Sequence, residues 1–178
     1  MTNPQTIPSG SRAVIDSSVL FAMGGPDNEK FQAFQRFALR QDVSVYMPEA
    51  VAVELGEQPN AYRYQRDRLR AAREAGWLTT GQIDFSDPDV CRIVDRTRER
   101  MAKRSAADVT EDEIERADTV LAGLTYQYAT GPASYVTVFV SDILAERAIR
   151  DVLSATDVSG RTRVVEGRAF LDELMGSG

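Results

Sequence analysis

The sequence contains no histidine and a single cysteine, Cys91, among its 178 residues. Without histidine, the chain lacks Ser-His-Asp and Cys-His catalysis, histidine general bases and histidine-based zinc sites. One cysteine cannot form an internal disulfide, which favours a reducing cytoplasm as the location of the protein. Any catalysis must therefore depend mainly on carboxylates, hydroxyls, lysine or arginine.

Long apolar runs are also missing. No segment approaches the roughly 20 apolar residues that cross a bilayer, and the first residues lack the basic start and apolar core of a signal peptide. The chain is 43% hydrophobic, which is typical of a globular domain with a sizeable core. We expect one domain over residues 12–175, a flexible tail over residues 1–11, and no membrane association.

Short β-branched segments alternate with amphipathic segments along the chain. Strands are predicted over 12–16, 42–48, 76–82, 134–142 and 161–165, and helices over 29–40, 49–57, 60–75, 88–103, 111–129, 143–153 and 167–175. The run SYVTVFVSD is almost continuously apolar, as expected at the centre of a parallel sheet. The alternation predicts an α/β fold with three layers, α/β/α, around a mostly parallel sheet of about five strands.

Two carboxylates directly follow predicted strands. Asp16 ends the first strand, and Asp142 ends the strand that contains YVTVFVS. In open parallel sheets, functional sites form beyond the carboxyl ends of the strands, where the strand order reverses. Taken singly, an Asp after a strand is usually a turn residue or a helix cap, and Asp142 could cap the helix that begins at 143.

Two further acids lie on predicted helices in apolar surroundings. Glu54 lies within AVAVELG, and Asp118 precedes TVLAGL. Four acids at one sheet edge would raise each other's proton affinity, so they stay ionised together only beside cations. Mg²⁺ and Mn²⁺ suit such carboxylate oxygens. The alternatives are a surface ion pair for Glu54 and a pairing of Asp118 with Arg116 or Arg147.

The segments VIDSSVL, MPEAVAVELGE, ERADTVLAGL and VTVFVSD, in this order, resemble the PIN-domain ribonucleases, with VapC-type toxin nucleases as the nearest comparison. The resemblance covers about residues 12–166. It implies that the four acids form the metal site of a Mg²⁺- or Mn²⁺-dependent ribonuclease: Asp16, Glu54, Asp118 and Asp142. It also implies RNA as the substrate, a homodimer, and an antitoxin protein as a potential partner.

Three more residues near these segments are candidates for the site. Glu115 lies one helical turn before Asp118, where it is an extra ligand or a supporting acid. Ser17 and Ser141 are candidates for hydrogen bonds to a phosphate or to a metal ligand. PIN domains often carry Ser or Thr two residues before the last Asp, whereas this chain has Val140 there and Ser141 next to it.

The formal net charge of −6 argues against non-specific nucleic-acid binding by the whole surface. Eleven of the 21 basic residues nevertheless fall between residues 62 and 104, beside seven acids. We predict that arginines at helical spacing in this region contact RNA: Arg63, Arg66, Arg70, Arg73, Arg96 and Arg100. The same pattern fits the solvated face of a helix or a surface for an acidic antitoxin.

Two other functions stay open. One is a PIN-fold nuclease that acts on DNA flaps or single-stranded DNA. The other is a PIN-fold module that binds RNA or protein without cutting it. A phosphatase with an aspartyl nucleophile is disfavoured, because VIDSSVL has no second Asp two residues after Asp16.

Overall fold

A five-stranded sheet forms the centre of the protein, in a computed structural model that describes residues 6–57, 63–104, 116–131 and 135–176. Its strands are β1 (Arg12–Ile15), β2 (Ser44–Pro48), β3 (Leu78–Gly81), β4 (Val136–Val140) and β5 (Thr162–Glu166). Each pair of neighbours is parallel, and the spatial order is β3-β2-β1-β4-β5. The predicted α/β class with a sheet of about five strands is confirmed.

Eight helices are described around this sheet. They are α1 (Ser17–Met23), α2 (Glu29–Arg40), α3 (Glu49–Glu57), α4 (Arg63–Glu74), α5 (Pro88–Arg104), α6 (Arg116–Ala129), α7 (Ile143–Ser154) and α8 (Gly167–Gly176). A short 3₁₀ helix (Ser159–Arg161) precedes β5. The helices predicted to begin at 60 and 111 are described from Arg63 and Arg116 onwards, and their first residues lie outside the described ranges.

The helices cover both faces of the sheet, because successive side chains of a strand point to opposite faces. Ile15 and Phe139 face a core cluster that includes residues of α1, α2, α4 and α8. Val14 and Val138 face a second cluster built with α5, α6 and α7. All five residues of β4 are buried, as expected for a strand covered on both sides. The arrangement is the predicted three-layer α/β/α sandwich.

The sequence pattern did not predict α1, which begins directly after β1. Its seven residues are too few to show a clear helical period, and two serines open it. Val19, Leu20 and Met23 are fully buried, while Phe21 and Ala22 are partly buried, so all five residues after the serines pack against the rest of the protein. Tertiary packing therefore stabilises α1 more than its own helix propensity does.

The segment predicted to be a flexible tail is described from Thr6 onwards. Ile7 is 1% exposed and belongs to the first core cluster. The backbone N–H of Gly10 donates to the carbonyl of Gln41 at 2.9 Å. The end of this segment thus packs on the domain, and the prediction for residues 1–5 lies outside the described residues.

Within the described ranges, every helix is too short or too polar to cross a bilayer.

Candidate active site

The carboxyl ends of β1 and β4 lie side by side at the centre of the sheet. From β1 the chain builds outward through β2 and β3, then returns to place β4 on the other side of β1. The backbone N–H of Asp16 donates to the carbonyl of Phe139 at 3.3 Å, which holds the end of β1 against β4. Asp16 and Asp142 therefore flank the point where the strand order reverses, the usual position of a site in such sheets.

An open cleft of about 340 Å³ lies at this point. It is lined by three acids, three serines, one alanine and one arginine: Asp16, Asp118, Asp142, Ser17, Ser18, Ser141, Ala117 and Arg168. The structure thus brings three of the four predicted acids to a single cleft. Glu54 lies in α3, but its side chain is outside the described part of the structure, and so is all of Glu115.

Asp16 is a buried carboxylate held by two hydroxyl groups. It is 6% exposed. Its Oδ2 accepts a hydrogen bond from Ser18 Oγ at 2.6 Å, and its Oδ1 accepts one from Ser17 Oγ at 3.3 Å. In the described ranges no lysine or arginine forms an ion pair with it. Since a buried charge is costly without compensation, this carboxylate is suited to bind a cation.

Asp118 reaches the cleft from the first described turn of α6. It is 9% exposed, and its neighbours Thr119 and Val120 are fully buried. The packing of α6 against β1 and β4 carries this residue to the sheet edge. A carboxylate in this position is screened from bulk water, which strengthens its attraction to a cation.

Asp142 has two roles. It is the N-cap of α7, where its Oδ1 accepts a hydrogen bond from the backbone N–H of Ala145 at 2.9 Å. The capping alternative from the sequence is therefore realised. Asp142 also lines the cleft and is more exposed than the other two acids. The helix cap uses one carboxylate oxygen of Asp142, so a cation in the cleft would bind the other oxygen.

Ser141 places a buried hydroxyl in the wall of the cleft. Its Oγ has no hydrogen-bond partner among the described atoms. Val140, where PIN domains often have the hydroxyl, is fully buried within β4. Buried polar atoms normally find a partner. The Ser141 hydroxyl is therefore a candidate donor of a hydrogen bond to a water or a phosphate oxygen in the cleft.

Arg168 supplies a positive charge to the cleft that the sequence analysis did not single out. It lies in the first turn of α8, directly after β5, whose carboxyl end is next to that of β4. The Glu166 carboxylate accepts hydrogen bonds from the backbone N–H groups of Arg168 and Ala169, at 3.1 and 2.6 Å, and so fixes this turn. In the sequence, the only signal that could have indicated Arg168 was its position just after the last predicted strand.

A close approach at Gly167 sets the position of Arg168. A Cβ atom at Gly167 would lie 2.6 Å from Val19 Cγ2 and 3.3 Å from Ser141 Oγ. Val19 is fully buried and β-branched, so its side chain has little freedom to move. The glycine therefore allows α8 to begin directly against α1 and the cleft.

We expect Gly167→Ala to lower the free energy of unfolding by about 1–3 kcal/mol, because the added methyl overpacks this contact. Urea denaturation measures the effect. Gly160→Ala is the matched control, since a Cβ there meets no atom within 4 Å. Equal stability of the two variants would contradict the proposed tight packing.

The predicted RNA-contacting arginines lie on two helices in opposite layers. On α4, Arg70 is 3.9 Å from Asp67, and Arg73 donates a hydrogen bond to Thr80. The side chains of Arg63 and Arg66 lie outside the described part of the structure. The two predicted on α5, Arg96 and Arg100, are exposed.

The α5 arginines lie beside an acid. A hydrogen bond from Lys103, followed by the charges of Lys103, Arg100 and Arg96, holds the pKa of Glu99 below its ordinary value. The helices that carry the two arginine sets pack on opposite faces of the sheet. RNA contact by these residues stays a prediction.

The cleft offers only oxygen donors, which hard divalent cations prefer. In the described part of the chain, no group of three or more His, Cys, Asp or Glu forms a metal-binding cluster. Mg²⁺ usually takes only one or two carboxylates and keeps several waters. Buried Asp16 and Asp118, together with the unpartnered Ser141 hydroxyl, fit a cation held partly through water.

The acidic cleft lies at the strand switch point of a parallel α/β/α sandwich, the position where such sheets bind their ligands. The family model described as "Halobacterial PIN domain" matches residues 9–177, so the chain belongs to the PIN-domain family. No curated protein and no solved structure matches the chain. Nucleases of the PIN type usually use divalent metal ions. The likeness to VapC-type toxins is a finer assignment and stays a prediction.

Proposed function

We propose that this protein is a metal-dependent endoribonuclease that hydrolyses RNA phosphodiester bonds at the acidic cleft. The observation that carries the proposal is that one cleft at the strand switch point is lined by Asp16, Asp118, Asp142 and the unpartnered Ser141 hydroxyl. Membership of the PIN-domain family supports the nuclease class. RNA as the substrate rests on the resemblance to PIN-domain ribonucleases.

The residues have separate roles in this proposal. Asp16 and Asp118 hold Mg²⁺ or Mn²⁺, with the second oxygen of Asp142 and, by the family pattern, Glu54. When bound, the cation activates a water molecule as the nucleophile and offsets the charge that develops on the phosphodiester. Ser17 and Ser18 keep the Asp16 carboxylate in one orientation through their hydrogen bonds.

Two further side chains act on the substrate. Ser141 Oγ donates to a phosphate oxygen or to a ligand water, which satisfies a hydroxyl that otherwise lacks a partner. Arg168 attracts the phosphate to a cleft whose three acids would otherwise repel it. The binding of RNA thus depends on the positive charges at the cleft, Arg168 and the bound metal ion, rather than on the net charge of −6.

We also propose a biological setting from the likeness to VapC-type toxins. In it, the protein acts in the reducing cytoplasm as a homodimer and an antitoxin protein restrains it. The exposed arginines of α4 and α5 are then a surface for acidic segments of that partner. The support for this setting is the resemblance and the single free cysteine, Cys91.

Metal binding and the preference for RNA over DNA test the proposal. A ligand that binds only the folded protein at 100 times its Kd adds about 2.7 kcal/mol of stability, so saturating Mn²⁺ should raise Tm by roughly 5–10 °C. With Mn²⁺ or Mg²⁺ present, we expect cleavage of a single-stranded RNA oligonucleotide and not of a DNA oligonucleotide of the same sequence. EDTA should abolish the cleavage.

The alternatives give different results in the same assays. Cleavage of the DNA oligonucleotide in preference to RNA would replace the ribonuclease with a DNA nuclease. RNA binding without cleavage in either metal, and with no shift in Tm, would identify a non-catalytic binding module. Either result would overturn the proposed reaction.

A further inference from the structure

A second groove of about 470 Å³ adjoins the acidic cleft. It lies between α1, α2 and α8 and shares two of its lining residues, Ser18 and Arg168, with the cleft. A nucleic-acid strand that places one phosphate at the acids can therefore extend directly from the cleft into this groove. Its volume is within the range of pockets that bind small organic groups.

One wall of the groove is apolar. Phe21 and Ala22 of α1 are partly exposed there, and Leu171 of α8 forms the floor with 1% exposure. The end of α1 is fixed, because the Phe21 carbonyl accepts hydrogen bonds from Arg68 Nη1 at 3.0 Å and from the backbone N–H of Gly24 at 3.1 Å. The aromatic ring is thus presented by an anchored segment.

The other wall carries positive charge. Lys30 of α2 and Arg168 of α8 line the groove together with one acid, Asp172. Lys30 Nζ lies 3.5 Å from Asp172 Oδ1, and the side chains are 42% and 71% exposed. Exposed ion pairs of this kind contribute little to stability, so Lys30 can exchange its partner for a phosphate at small cost.

We propose that this groove binds the nucleotide next to the scissile phosphate of a single-stranded RNA, an inference that rests on the proposed ribonuclease function. The base packs against the Phe21 ring, and the adjoining phosphate lies between Lys30 and Arg168. Only an unpaired base can present its face to the apolar wall, so the groove selects single strands over duplexes. Stacking on an aromatic ring is tolerant of sequence.

Binding of a fluorescent single-stranded RNA to the full-length chain in EDTA tests the groove without cleavage. Phe21→Leu keeps the apolar wall and removes the ring, and we expect it to weaken binding roughly five- to hundredfold with an unchanged salt slope. Lys30→Gln should weaken binding and reduce the slope of log K against log salt by about 0.7, the value for one lost phosphate contact on a single strand.

Matched controls come from the opposite layer. Arg150 of α7 is a basic side chain that is also in an ion pair, with Glu146. Phe85 is an aromatic side chain that is 45% exposed. We expect Arg150→Gln and Phe85→Leu to keep wild-type affinity within about twofold. All four variants should unfold at nearly the wild-type temperature, which separates lost contacts from lost folding.

The outcomes separate this inference from the ribonuclease proposal. If the wild type cleaves RNA while the groove variants bind it as tightly as their controls do, the groove inference is overturned and the ribonuclease stands. That result would favour a protein segment, rather than RNA, as the occupant of the groove. If the wild type does not cleave but the two groove variants selectively lose RNA affinity, the groove stands and the ribonuclease fails.

Discussion

Asp16→Asn should lower the rate of RNA cleavage by at least about 100-fold while the protein stays folded. Substitution of residues that merely support a metal ligand typically costs 10- to 100-fold, so loss of the charge on a ligand should cost more. Asn has nearly the same shape, and its side-chain oxygen can still accept the hydrogen bond from Ser18. Single-turnover cleavage of an RNA oligonucleotide in saturating Mn²⁺ measures the rate.

The same variant should lose most of the Mn²⁺-dependent rise in Tm, because the cation loses a charged ligand. Without metal its Tm should equal or exceed that of the wild type, since a buried charge has been removed at a position that is 6% exposed. Asp95→Asn is the control, because the Asp95 side chain is 73% exposed on α5. Wild-type cleavage by Asp16→Asn would exclude this residue from the metal site.

Asp142 requires a pair of variants, because it caps α7 as well as lining the cleft. Asn is as good an N-cap as Asp, whereas Ala is a poor one. A loss of activity in Asp142→Asn would therefore show that cleavage needs the negative charge of Asp142. A loss confined to Asp142→Ala would show that cleavage needs only the helix cap.

The fold could be predicted because its elements carry strong local signals. Helix α2 was predicted over 29–40 from Phe31, Phe34, Phe37 and Ala38 at helical spacing, and these residues are buried in the structure. The apolar run of β4 correctly indicated a strand covered on both faces. Helix α1 carried no such signal, because a seven-residue helix with two serines followed by five apolar residues shows no amphipathic period.

The acids of the site could be predicted in part, since topology alone brings the ends of adjacent parallel strands together. Asp16 and Asp142 follow from this rule. Arg168 and the second groove do not, because they depend on how α8 packs against α1 through the contact of Gly167 with Val19. Such a contact between residues far apart in the chain leaves no periodic pattern in the sequence.

The elements that present the site share one aromatic cluster. The ring centroid of Phe34 lies 5.4 Å from that of Trp77, 5.7 Å from those of Phe37 and Phe139, and 6.2 Å from that of Phe170. Phe139 belongs to β4 and Phe170 to α8, the elements that carry Asp142 and Arg168 to the cleft. The core on this face thus determines how the two sides of the site meet.

Phe34→Ala should lower the free energy of unfolding by about 3–5 kcal/mol, because Phe34 is fully buried and its loss leaves a cavity among four other rings. Against a typical total of about 5–15 kcal/mol this is a large fraction, and Tm should fall by roughly 6–20 °C. Urea denaturation should show a lower midpoint with an unchanged m-value. Leu39→Ala, on the same helix but 57% exposed, should change stability by less than about 0.5 kcal/mol. Equal effects of the two substitutions would mean that the cluster does not hold β4 and α8 together, and the acidic cleft would then need another structural support.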